Sequence, residues 1–90
     1  MKYRLFLLGE AATFLYSMKR AERDRLIRHL ESISEFPPHY SQYSYRDNRG
    51  RRIEGCIVGK HAIEWWEDTA HEDLKVLSIT PADGHRLPEI

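Results

Sequence analysis

Cysteine is almost missing from this chain: Cys56 stands alone, so no disulfide can close within it. A lone thiol fits a reducing compartment. Cys56 falls inside a strand-like run. Its expected role is that of a small buried apolar residue, because a reactive thiol needs an accessible, thiolate-favouring setting. Long hydrophobic runs are missing too, and nothing approaches the ~18 apolar residues of a membrane span. The apolar block Leu5–Leu8 behind Lys2 and Arg4 is too short for a signal sequence, and no small-residue cleavage site follows. The reading is a strand of a cytoplasmic protein with no membrane partner. Neither charge dominates: 14 basic residues face 14 acidic ones, for a formal net charge of zero. A dedicated nucleic-acid binder usually shows a basic excess, so any such contact must rest on local patches. His29, His39, His61, His71 and His85 lack zinc-ligand spacing, and no phosphate loop or nucleophile elbow occurs. No metal or cofactor is expected.

What is present is one core's worth of apolar residues, 41% of 90. That length supports a single domain over 1–90. The stretch Arg51–Thr80 organises it. Arg51–Val58, His61–Asp68 and Leu74–Thr80 read as three strands. Gly59-Lys60 and the polar break Thr69–Asp73 join them, and links this short favour antiparallel neighbours. At the other end, Met1–Leu8 alternates with apolar residues on both faces, as in a central or doubly covered strand. Ala11, Phe14, Leu15 and Met18 form one helical stripe within Glu10–Lys19. Leu26, Ile27, Leu30 and Ile33 form another within Ala21–Glu35. A single helix from 10 to 35 would run ~39 Å, against a radius of gyration of ~12 Å for a globule this size. A helical hairpin is therefore expected, bent near Arg20–Glu22. Arg23, Arg25 and Arg28 fall off the stripe and read as a solvated face. Phe36-Pro37-Pro38 stops the second helix. Tyr40–Arg46 suits a polar, aromatic edge strand, and Asp47-Asn48-Arg49-Gly50 has hairpin-turn chemistry. The tail from Pro81 onward reads as loop. The expected class is α+β, ordered β-α-α-β-β-β-β: a largely antiparallel sheet with the helical hairpin packed on one face.

In this order and spacing the chain resembles the RelE/ParE superfamily of bacterial type II toxins. The resemblance is carried by the opening strand and helix pair, by Leu26, Leu30 and Ile33 followed by Pro37, and by the meander. The meander's carriers are Gly59, Ala62, Ile63, Trp65, Trp66 and Asp68, then Leu74-Lys75-Val76-Leu77-Ser78-Ile79. It implies a toxin held inactive by a cognate antitoxin, as a homo-oligomer or a hetero-oligomer with that partner. The RelE-like branch implies an mRNA interferase, a ribosome-dependent endoribonuclease that inhibits translation, with ribosome and mRNA as partners. The alternative is a ParE-type, gyrase-directed toxin or a catalytically silent toxin-like binding protein.

Cleavage at a 2′-hydroxyl needs a base, an acid and cations for the phosphorane. Carried over by position, the resemblance implies Arg52, His61, His85 and Arg86 as the catalytic set. Two departures stand against it. Glu54 is acidic where the best-known members carry a base, and Ala82 lies close to where a further Arg is usual. His61 and His85 suit a general acid/base pair; the plainer reading is two surface histidines. Arg46, Arg49, Arg51 and Lys60 are candidates for binding RNA phosphates, or charges that keep a sheet edge soluble. They fall at opposite ends of Arg51–Val58, as two basic spots. Trp65 and Trp66 are adjacent in a strand and must face opposite ways. One belongs under the helices. The outward one suits a partner-binding groove for the antitoxin, or stacking on a base, worth ~1–3 kcal/mol.

Overall fold

The computed structural model of the chain describes residues 2–82. Strand β1 (Arg4–Leu7) leads into helix α1 (Gly9–Tyr16). Helix α2 (Arg20–Glu35) and the short α3 (Pro37–Tyr40) follow. Four strands complete the chain: β2 (Tyr43–Arg46), β3 (Arg52–Val58), β4 (His61–Asp68) and β5 (Asp73–Pro81). The sheet order is β1-β5-β4-β3-β2. Strand β1 runs parallel to β5, and every other pairing is antiparallel. The α+β class and the up-and-down β2–β5 meander match the expectation.

The helix stripes and one sheet face make a shared core. Ala11 and Leu15 of α1, and Leu26, Leu30 and Ile33 of α2, are buried against Cys56, Ile63, Trp65, Leu74, Val76 and Ile79. Each such aliphatic side chain taken from water contributes roughly 1.5–3 kcal/mol before entropy is counted. In β4 the period of two puts Ile63, Trp65 and Glu67 toward the helices. Ala62, Glu64, Trp66 and Asp68 then point to the open face. A bulge at Glu64/Trp65 keeps this alternation in register with β5.

Three local expectations are corrected. Strand β1 is an edge strand, not a central one: among the described residues it pairs only β5, and Phe6 is 46% exposed. Its two-sided apolar pattern arises because Leu5 and Leu7 pack on the core while Phe6 lies under Lys75 on the open face. The helix hairpin turns at Ser17–Lys19, earlier than Arg20–Glu22. There Ser17 Oγ donates to the Phe14 carbonyl at 2.6 Å, and Met18 N–H donates to Leu15 at 3.2 Å. A serine hydroxyl competing for the last carbonyls ends a helix without Gly or Pro. Finally, Pro37-Pro38 does more than stop α2. It starts α3, since proline suits the first helical positions, and this shortens β2 to Tyr43–Arg46.

Candidate functional site

The β3–β4 hairpin divides the charged candidates between its two ends. Val58 pairs with His61 at the turn. Arg52 lies at the far end of β3. At ~3.3 Å per residue, roughly 20 Å separate Arg52 from His61 along the sheet. Arg52 and His61 are thus too far apart to serve one phosphate. His85 and Arg86 lie outside the described residues.

At the Arg52 end, the guanidinium Nε donates to Glu54 Oε2 at 2.6 Å. Ser41 Oγ donates to Glu54 Oε1 at 2.5 Å. Glu54 is buried, so both of its oxygens serve to tie the β2 entry to β3. Glu54 thus pairs the Arg52 guanidinium, whose side chain stays 65% exposed. Nearby, Arg46 Nη1 donates to the Gly50 carbonyl at 2.8 Å. Asp47 gathers the Arg51 Nε at 2.8 Å and the backbone N–H groups of Arg49 and Arg51 at 2.9 Å. Gly50 closes this turn at φ +78°, a conformation glycine adopts without a Cβ penalty. Of the expected phosphate binders at this end, Arg46 and Arg51 are engaged within the turn. The Arg49 side chain is exposed.

On the open face, Trp66 lies between two cations. Arg51 stands 5.1 Å and Lys75 5.3 Å from its ring centroid, and Lys75 Nζ also donates to Asp68 Oδ2 at 2.7 Å. Trp65 is fully buried, which makes Trp66 the outward tryptophan. Beside it, Glu64 accepts from Tyr43 Oη at 2.8 Å and Tyr45 Oη at 2.5 Å. Burial, then the Glu64 carboxylate, pushes the Tyr45 hydroxyl up to about 12 and raises Tyr43 as well. This aromatic and carboxylate row was not singled out in the sequence. Only the strand register brings Tyr43, Tyr45 and Glu64 together.

At the turn end, Gly59 takes φ +59°, and Lys60 and His61 face the first half of α2. Between them is a cleft of about 460 Å³ lined by Met18, Glu22, Arg25, Leu26, His29, Val58 and the turn itself. Phe14 of α1 meets the His61 ring edge-on, with centroids 5.7 Å apart. The Ala82 N–H donates to the Lys60 carbonyl at 2.7 Å, which ties the residue after β5 to the turn. Arg25 and His29, four apart on α2, share a helix face. The off-stripe Arg25 is therefore a wall of this cleft and not only a solvated charge. Sequence reasoning missed Arg25 and His29 because no local spacing links α2 to the β3–β4 turn. Among the described residues no cluster of His, Cys, Asp or Glu could hold a metal ion, and no helix is long and apolar enough to cross a membrane.

The fold has clear counterparts. The chain is similar to a chain in the crystal structure of the toxin–antitoxin complex RelBE2 from Mycobacterium tuberculosis. The TM-score is 0.76 at 12% identity, over 90% of this chain and 92% of that one. It is also similar to a chain of the archaeal RelE–RelB complex from Pyrococcus horikoshii OT3. There the TM-score is 0.71 at 14% identity, over 90% and 96% of the two chains. No protein-family model and no curated protein matches the sequence. The structural likeness shows the fold, which is the RelE-like one that the sequence resemblance implied.

Proposed function

We propose that this chain is a RelE-like toxin of a type II toxin–antitoxin system, acting in the cytoplasm by cutting mRNA on the ribosome and so blocking translation. The observation that carries this reading is the likeness across nearly the whole chain to structures of RelB–RelE complexes. Its regulator on this reading is a cognate antitoxin, for which the outward Trp66 is the proposed contact. Chemistry centres on His61, with Lys60 beside it and with His85 and Arg86 of the tail. Arg52 is left out of this centre on our reading, because it lies six residues along β3 from Val58, the partner of His61, and is paired with Glu54. The second reading is a gyrase-directed or catalytically silent toxin-like binder. It draws on the same Glu54, a carboxylate where the resemblance implies a base. The two separate in one experiment. The first reading expects the purified chain, added to translating ribosomes, to cut mRNA in the A site, with His61→Ala abolishing the cuts. Growth arrest without cuts, accompanied by loss of gyrase supercoiling, would establish the second.

A further inference from the structure

We infer that Glu64 is the centre of a cation site on the open sheet face, where its carboxylate and the Tyr45 ring receive an arginine side chain of a protein partner. The inference rests on the reading of Trp66 as a partner contact and names the chemistry that the partner brings beside it. Three observations carry it.

The first is the state of the carboxylates. Asp68 and Asp73 lie opposite each other on this face. Asp68 is paired with Lys75 at 2.7 Å and Asp73 with Arg4 at 2.7 Å. At the rim, Asp47 is paired with Arg51 at 2.8 Å. Glu64, in the middle of the sheet, makes no ion pair among the described residues. Its two oxygens accept one hydrogen bond each from the phenols of Tyr43 and Tyr45. Two neutral donors hold the carboxylate in place and leave its charge unanswered. A carboxylate has about four acceptor positions, so each oxygen keeps room for a further donor.

The second is the surroundings. Glu64 stands directly opposite Gly55 on β3 and Ser78 on β5, so neither neighbouring strand walls it off with a long side chain at that register. It is half-buried, and Tyr45 beside it is 40% exposed. The Tyr45 hydroxyl touches the carboxylate, which brings its ring within the ~6 Å over which an aromatic face attracts a cation. Trp66, two residues along β4 on the same face, offers an indole against which an aliphatic stem can lie.

The third is the balance of charge, which selects the partner. A phosphate backbone is drawn to cations that nothing else answers. Arg4, Arg51 and Lys75, the cations on and beside this face, each already meet a carboxylate, and Glu64 repels a phosphate. The surface therefore suits a protein segment and not a nucleic acid. Among basic side chains a guanidinium fits best. It is planar and weakly hydrated, it stacks on an aromatic ring, and it presents two parallel N–H donors to a carboxylate. An ammonium offers a compact, strongly hydrated charge and no face to stack.

The test uses the full wild-type chain, labelled with nitrogen-15 for NMR and titrated with acetyl-arginine amide and, separately, with its neutral isostere acetyl-citrulline amide. The arginine compound is expected to move the amide signals of Gly55, Glu64 and Ser78 along one saturating curve, and the citrulline compound to bind about fivefold more weakly. Glu64→Gln keeps acceptors for the two phenols and should weaken arginine binding about fivefold, the order of a partly exposed ion pair. Tyr45→Leu should weaken it about threefold, the order of one cation–π contact. Equal affinity for the two compounds, wild-type affinity in both variants, or signals that move only on α2 would each overturn the site. A tetra-adenylate that moves the same signals more strongly than arginine would place RNA there and overturn it too. Cutting on the ribosome is measured separately. Its absence removes the toxin reading, whereas the arginine titration alone decides this site.

Discussion

Gly55 leaves the space that the Tyr43 ring fills. A Cβ built on Gly55 would lie 2.2 Å from Tyr43 Cζ, and the ring's hydroxyl reaches across β3 to donate to Glu64 at 2.8 Å. The two residues are directly opposite in the β2–β3 ladder. The Tyr43 ring can lie over β3 at this point because the strand has no side chain at Gly55. Gly55→Ala is expected to expel the ring, break the hydrogen bond to Glu64 and loosen β2. The cost should be about 1–3 kcal/mol, as for other overpacked sites. Gly9→Ala is the control, because nothing lies within 4 Å of a Cβ there. Urea unfolding followed by circular dichroism measures both, and equal midpoints for the two variants would refute the packing argument.

Cys56 is 3% exposed, and burial pushes its thiol up to about 11. The thiolate is the reactive form. A disulfide-exchange reagent at pH 8 is expected to leave the folded chain unlabelled and to label it rapidly in denaturant. Stoichiometric labelling of the folded protein within seconds would show that the core around Ile63 opens far more readily than its packing implies.

Asp68 gives the fold an acid-sensitive clasp. The hydrogen bond from Lys75 lowers its carboxyl to about 2, with His71 adding to the effect and burial opposing it. The folded value is below the unfolded value of about 3.9. Its contribution is therefore complete above that pH and is lost as pH falls toward 2. The stability difference between wild type and Asp68→Asn should be constant from neutrality down to about pH 5 and should then shrink. Chemical denaturation at stepped pH measures it. A difference unchanged at pH 3 would mean that Asp68 does not titrate as the Lys75 bond requires.

Much of this architecture was readable from local pattern. The stripes Ala11-Phe14-Leu15-Met18 and Leu26-Leu30-Ile33 fixed two helices, because a period near 3.6 has one structural meaning at that length. The alternation at Trp65 and Trp66 required one buried and one outward indole, and a strand offers no other arrangement. It did not say which, and the bulge at Glu64/Trp65 and the helices above it decided that for Trp65.

What the chain's order of residues determined by itself was periodicity, turn chemistry and charge balance, all properties of neighbours within a few positions. The tertiary structure alone decided which distant groups meet. It brought Arg4 to Asp73, placed β1 at an edge beside β5, and set Arg25 and His29 on the same cleft as Lys60 and His61. Those juxtapositions relate residues 29 and 61 across a cleft, or pair 4 with 73, and they depend on how helices and strands share one core. No local spacing encodes that choice.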